Sequence, residues 1–265
     1  MRHSTQTEHG KPIRLHDEAD FAAMRLAGKL AAQTLDYITP FVKPGVSTGE
    51  LDRLCEEFMR AGGGIPATID YHGYKHATCI SVNHVVTHGI PSFEKKLKVG
   101  DIVNIDVTPK LHGWHGDSSR TFKVGKVSIQ AGRLVDVTYE SMMVGINKVK
   151  PGATLGDVGA AIEAVARAAG YQSVRDFCGH GTGEVFHDTP QVIHYGKAGT
   201  GVVLEPGMFF TIEPMLNAGS FEVKVLGDGW TTVTKDHSLS AQFEHTLAVT
   251  QTGYEIFTLS ELPTA

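Results

Sequence analysis

Lys98-Val99-Gly100-Asp101-Ile102-Val103-Asn104-Ile105-Asp106 is the stretch from which the fold can be read. A glycine turn leads into a strand whose Val103, Ile105 and Val107 share one face, leaving Asn104, Asp106 and Thr108 on the other. The apolar face can pack on helices, so the acid belongs to the polar face of a half-buried strand. The pattern returns 107 residues later as Glu205-Pro206-Gly207-Met208, with Met208, Phe210 and Ile212 opposing Thr211 and Glu213. Asp106 and Glu213 keep that offset, as do Gly45 and Gly152 within Val42-Lys43-Pro44-Gly45 and Val149-Lys150-Pro151-Gly152. Three matches at one offset argue for a duplicated helix–helix–sheet unit. With only two copies the chain reads as one pseudo-symmetric domain, halves about 42–148 and 149–258, with a site where they meet.

Working outward, Phe21, Met24, Ala27, Ala31, Leu35 and Ile38 predict a helix from about Asp17 to Ile38, before Pro40 and Pro44 break the pattern. Ser47 and Glu50 have capping-box spacing and open a second helix, which Gly62-Gly63-Gly64 ends. Thr154 and Asp157 repeat that spacing. Strands are expected over Thr78–Val82 and Asp101–Thr108, and a further helix over Ala131–Val149.

Bulk properties exclude several classes. The 265 residues carry a net charge of −5 and are 41% hydrophobic, enough for a substantial core and a poor match to nucleic acid. The three cysteines, Cys55, Cys79 and Cys178, are scattered, so neither a disulfide framework nor a thiolate zinc site is indicated, and a reducing cytoplasm is the simplest setting. Residues 1–16 read as a short polar extension with a loose terminus at His3 and His9, and no stretch has the roughly 18 apolar residues of a membrane span.

The chemistry lies in the acids. Asp106, Asp117, Glu213 and Glu244 all sit in strand-like or glycine-turn contexts, and Glu244 shares a polar face with Gln242 and Thr246. Asp106 and Asp117 flank a hairpin turning at Leu111-His112-Gly113, and are expected to face one another across it. Each alone reads as an ordinary solvated strand residue. Brought together, like-charged carboxylates need compensating cations, and an oxygen-rich pocket suits two divalent ions and metal-assisted hydrolysis. His180 and His187 lie in His180-Gly181-Thr182-Gly183-Glu184-Val185-Phe186-His187, whose glycines would let backbone approach a ligand. The spacing is not that of HExxH. His88, in Val86-Thr87-His88-Gly89-Ile90-Pro91, taken alone reads as structural.

Tyr71-His72-Gly73-Tyr74, Cys79-Ile80-Ser81-Val82-Asn83, His88-Gly89-Ile90-Pro91, Asp101 to Asp106, His115-Gly116-Asp117, Cys178-Gly179-His180-Gly181, Phe186-His187, Thr211-Ile212-Glu213-Pro214 and Ser240 to Thr246 occur in order. Together they resemble the type I methionine aminopeptidases in their compact bacterial form, from about Asp17 to Thr258. The resemblance implies an α+β "pita-bread" fold in residues 17–265, with a curved antiparallel sheet holding two divalent metals (cobalt, manganese, iron or zinc) and helices outside. It implies that Asp106 chelates one metal, that His180 and Glu213 bind the other, and that Asp117 and Glu244 bridge both.

By the same resemblance Glu213 is the proton shuttle, His187 binds the scissile carbonyl oxygen and His88 contacts the scissile nitrogen. Tyr71, Tyr74, Cys79, Phe186 and Trp230, with His72 nearby, form a methionine pocket; the bland alternative is that the aromatics are core. The implied substrates are nascent N-termini with a small second residue, met by a monomer near the ribosome exit, without nucleic acid or membrane. Departures are modest: Lys75-His76 stands where a proline is common, no cysteine/histidine-rich front region is present, and the 213–244 segment is too short for the type II insertion. The competing readings are an Xaa-Pro aminopeptidase or prolidase, which usually carries a separate N-terminal domain, and a metal-free pita-bread binding protein.

Overall fold

The computed structural model describes residues 2–260. Four helices, α1 (Glu18–Ile38), α2 (Thr48–Ala61), α3 (Ile129–Ile146) and α4 (Leu155–Ala168), surround one main sheet. Asp17 caps α1 in a full capping box with Asp20. Ser47 caps α2 by accepting the Glu50 N–H, but the Glu50 carboxylate turns away to Arg53 instead of closing the box. The box does close at Thr154 and Asp157 of α4. α3 starts earlier than the apolar pattern indicated, because Ser128 caps it, and ends at Ile146.

The sheet has eight antiparallel strands in the order Asp188–Val192, Gly179–Gly181, Phe209–Ile212, Glu244–Val249, Ser118–Lys123, Ile102–Val107 and Thr78–Val82, with Tyr254–Ile256 also pairing on Glu244–Val249. Pairing of Glu244 with Ser119 and His245 with Ser118 joins the earlier strands to the later ones. One core cluster packs Leu35, Ile38, Leu51 and Met59 of α1 and α2 on Ile80, Val103, Ile105 and Val107. A second packs Met142, Ile146, Val158 and Ile162 of α3 and α4 on Phe210, Ile212, Leu247 and Val249. Each fully buried aliphatic or aromatic contributes roughly 1.5–3 kcal/mol. The opposite, polar face of the same strands is left to line a cleft.

The 107-residue offset recurs in the hydrogen bonds. Gly45 N–H donates to the Leu97 carbonyl and Gly152 N–H to that of Leu204, and the bridges Ser47–Lys96 and Thr154–Val203 are likewise counterparts. Gly45 (φ 89°) and Gly152 (φ 83°), like Gly100 (φ 96°) and Gly207 (φ 97°), occupy the left-handed region, which is why glycine stands at these places in both copies.

The N-terminal segment is not loose. Arg2–Glu8 and Lys11–Leu15 form an antiparallel hairpin that buries Ile13. Ile13 and Leu15 pack on the second core cluster, and polar side chains add to that seam: Gln6 exchanges amide hydrogen bonds with both the carbonyl and the N–H of Val203, Glu8 accepts the Gln191 N–H, and Ser4 donates to Glu205. Among the described residues no helix is long and apolar enough to cross a membrane.

Candidate metal centre

Strand register sets the acids in a transverse row. Cys79 pairs with Asp106, Asp106 with Ser119, and Ser119 with Glu244, while Ile212 pairs with His245 and so brings Glu213 beside Glu244. Paired residues of an antiparallel sheet project to the same side, so the row faces the cleft. Asp117 lies one step along that face. It is not directly opposite Asp106 as the hairpin reading expected: the turn at His112-Gly113 pairs Leu111 with Trp114, and the same register carried into the longer strands sets Asp106 against Ser119 and leaves Asp117 diagonal to it. Thr108 donates to Asp117 Oδ1 at 2.7 Å, and the Asp117 backbone is fixed on both sides by the Thr246 hydroxyl.

His180 enters from Gly179–Gly181, where the ladder shifts register between His180 and Gly181. A Cβ on Gly179 would lie 2.4 Å from the Thr211 carbonyl oxygen, and one on Gly181 2.0 Å from that of Thr189. These glycines admit neighbouring strands rather than a ligand. His180 Nδ1 bonds the Gly181 carbonyl at 3.1 Å, which aims Nε2 at the acids, 3.5 Å from Asp117 Oδ2 and 3.6 Å from Glu213 Oε1. The Thr211 hydroxyl accepts the His180 N–H and donates to Glu213 Oε1, coupling the two residues through one oxygen.

The electrostatics are those of an anionic nest. Burial pushes the Asp106 carboxyl well above its usual range, and the charges of Asp117 and Glu213 push it further. Glu244 is raised by burial and by Asp117. Burial carries Glu213 up to about 7 against the opposing charge of His180. Burial acts on Asp117 in the same direction, but the hydrogen bond and charge of His180 outweigh it and hold that carboxyl low.

Ligand atoms of Asp117, His180 and Glu244 all lie within 4.8 Å of one another. Asp106 Oδ1 is buried with no hydrogen-bond partner among the described residues. An orphaned carboxylate oxygen beside three clustered donors fits a hard divalent cation.

A cleft of about 320 Å³ opens over the cluster, lined by all five of these residues with His88, His187, Tyr71, Tyr74, Cys79, Phe186 and Trp230. Phe186 stacks on His115, and His187 packs against His180 and Tyr71. Tyr74 is buried, its hydroxyl donating to the Thr78 carbonyl, and its ring meets Trp230 edge-on. His72 is exposed and lies edge-on against the ring of Tyr71, beside the lining residues rather than among them. The lining also includes Thr108, Phe177, Cys178 and Met215, which sequence reasoning left out of the pocket. Strand parity could have found Thr108 and Met215, each two residues beyond a predicted ligand. Burial leaves His88 neutral with its pKa at about 4, and leaves His187 neutral at about 3.

A buried oxygen-rich donor set with one imidazole, at the base of a cleft of this size, defines a metal-dependent hydrolase. The model of metallopeptidase family M24 matches residues 22–251. A methionine aminopeptidase of Rickettsia prowazekii is 56% identical over 94% of this chain and 96% of its own length. A crystal structure of that organism's enzyme superimposes with a TM-score of 0.92 over 93% of this chain and 100% of the other. The methionine aminopeptidase structure of Thermotoga maritima gives 0.91 at 41% identity, covering 93% and 99%. The chain belongs to metallopeptidase family M24, and within it to the methionine aminopeptidases, which have the pita-bread fold.

Proposed function

We propose that this chain removes the N-terminal methionine from nascent proteins and peptides, preferring a small second residue, by metal-assisted hydrolysis at two divalent ions. The observation that carries the reading is the convergence of Asp106, Asp117, His180, Glu213 and Glu244 in one cleft with aromatic walls. Asp106 would hold one ion, His180 and Glu213 the other, and Asp117 and Glu244 would serve both. When bound, the ions supply a water acidic enough to be a nucleophile near neutral pH and positive charge for the carbonyl oxygen.

The chain's own groups do the rest. Glu213 moves a proton from the water towards the leaving amine, and the Thr211 hydroxyl at 2.8 Å holds its Oε1 in place. His187, kept neutral by burial, retains an N–H to offer the carbonyl oxygen as negative charge develops. His88, also neutral, contacts the scissile nitrogen. Tyr71, Tyr74, Cys79, Phe186 and Trp230 enclose the methionine thioether, which packs well against aromatic edges. His72 stands beside this pocket, against the ring of Tyr71.

The ions are drawn from cobalt, manganese, iron and zinc. The protein works as a cytoplasmic monomer close to the ribosome exit. The catalytic domain occupies residues 17–265, duplicated as about 42–148 and 149–258, with the N-terminal hairpin packed against it.

Release of methionine from Met-Ala-Ser, measured against cleavage of Ala-Pro with several added metals, tests the substrate. Cleavage of Ala-Pro alone would replace this reading with a prolidase one. Glu244→Ala, which loses a shared ligand, is expected to be inactive; normal turnover in that variant contradicts the two-ion site. Elemental analysis of protein purified without chelator, set beside Asp106→Ala, separates an enzyme from a metal-free binding protein.

A further inference from the structure

Glu213 lies one residue beyond the Phe209–Ile212 strand and is followed by Pro214. Its repeat counterpart Asp106 sits inside the ladder, paired on both sides with Cys79 and Ser119. The backbone of Glu213 lacks that support. Its N–H instead donates to Nε2 of His194, at 3.1 Å. An imidazole nitrogen can accept only when it carries no proton, so His194 must be the neutral Nδ1–H tautomer.

The ring has little freedom. His194 is 1% exposed. Its carbonyl accepts the Ser173 hydroxyl at 3.0 Å. The carbonyl oxygens on either side, of Ile193 and Tyr195, rest on α4 at 2.4 and 2.5 Å from where a Cβ on Gly159 would stand. Helix α4 therefore holds the 193–195 segment from one side while His194 holds Glu213 from the other. The side-chain end of Glu213 is braced separately, by Thr211 on Oε1 and by Gln242 on Oε2 at 3.3 Å.

From this geometry we infer that His194 is a positioning residue for the metal centre: a side-chain acceptor standing in for the missing ladder partner of Glu213 and fixing the backbone from which that carboxylate reaches the ions. The inference rests on the reading of Glu213 as a metal ligand. Sequence inspection passes over His194 because it lies outside the motifs and is brought to Glu213 only by the packing of the 193–195 segment on α4.

Two measurements test it. Nitrogen-15 NMR of the full-length wild-type chain is expected to find the His194 Nε2 unprotonated and coupled across the hydrogen bond to the Glu213 amide; an Nε2–H tautomer overturns the proposal. Calorimetric titration with manganese(II) then compares wild type, His194→Leu, His194→Gln and Glu213→Gln. His194→Leu is expected to weaken one manganese step by about 10–100-fold, the usual effect of removing a group that orients a metal ligand. His194→Gln, whose amide oxygen can accept the same N–H, is expected to recover most of that loss, a rescue that mere filling of space would not give. Wild-type manganese binding in His194→Leu beside a lost step in Glu213→Gln overturns the role of His194 alone. Unchanged binding in Glu213→Gln overturns the ligand reading and this inference with it. Should His194→Leu not fold, the tautomer in the unaltered chain decides.

Discussion

His187 and His88 are imidazoles that burial keeps neutral, and each gives a residue-scale expectation. If His187 is the proposed donor to the carbonyl oxygen, His187→Ala removes a bond that strengthens as that oxygen becomes anionic, so kcat is expected to fall about 100-fold while KM stays within a few-fold; steady-state kinetics on Met-Ala-Ser checks the split. A variant changed only in KM would assign His187 to substrate binding instead. His88 bears on stability. Its folded pKa of about 4 lies below the 6.5 of the free side chain. Above pH 6.5 neither state takes up the proton. Between 6.5 and 4 the unfolded chain binds a proton that the folded one refuses, so stability is lost as pH falls, by up to about 1.4 kcal/mol per pH unit. His88→Asn, which tolerates the left-handed φ of 55°, is expected to lose less stability than wild type between pH 7 and 5 in urea titrations. At this scale the acids were legible because strand parity exposes a carboxylate out of place. Cys178, two residues before His180, was within reach of the same parity argument, whereas Phe177 was not, since it stands at the opposite parity and only folding brings it to the lining.

At the scale of elements, close approach matters more than propensity. Gly116 precedes Asp117 where the chain passes under α1, and a Cβ there would lie 2.2 Å from the Ala27 carbonyl oxygen. Neither backbone can yield cheaply. Gly116→Ala is expected to cost about 1–3 kcal/mol by overpacking and also to weaken metal binding, because the displaced segment carries Asp117, a proposed ligand. Thr154→Ala removes the cap of α4, on the far side of the core from the cleft. It is expected to cost about 1 kcal/mol and to leave metal affinity unchanged. Urea unfolding and metal titration on the two variants separate these outcomes; equal metal affinity in both would refute the coupling of Gly116 to the site. Helix positions were legible from apolar spacing and caps, with boundaries shifted where Ser128 started α3 early. The N-terminal hairpin was not, because only Ile13 and Leu15 give it an apolar alternation, and Ser4, Gln6 and Glu8 hold the rest by polar bonds to distant residues.

For the whole molecule, the site is a seam. Asp106 and Asp117 come from strands and loops before α3, and His180, Glu213 and Glu244 from those after it. Their carboxylates repel one another when ionised, and a bound cation would offset that repulsion. Stripping metal with a chelator is therefore expected to lower the melting temperature by several degrees, and manganese(II) at about 100 times its Kd to restore about 2.7 kcal/mol. Scanning calorimetry that found no shift would count against a cation at the seam. The sequence by itself determined the 107-residue recurrence, the polar and apolar faces of the strands, the turn glycines and the identities of the acids, because these follow from side-chain period and backbone sterics within a few residues. Only the tertiary structure decided that Glu244 is set against Ser119, bringing the later strands beside Asp106, and that His194 holds Glu213. Those depend on register and on contacts between segments far apart in the chain, where a shift of one residue turns a ligand to the other face of the sheet.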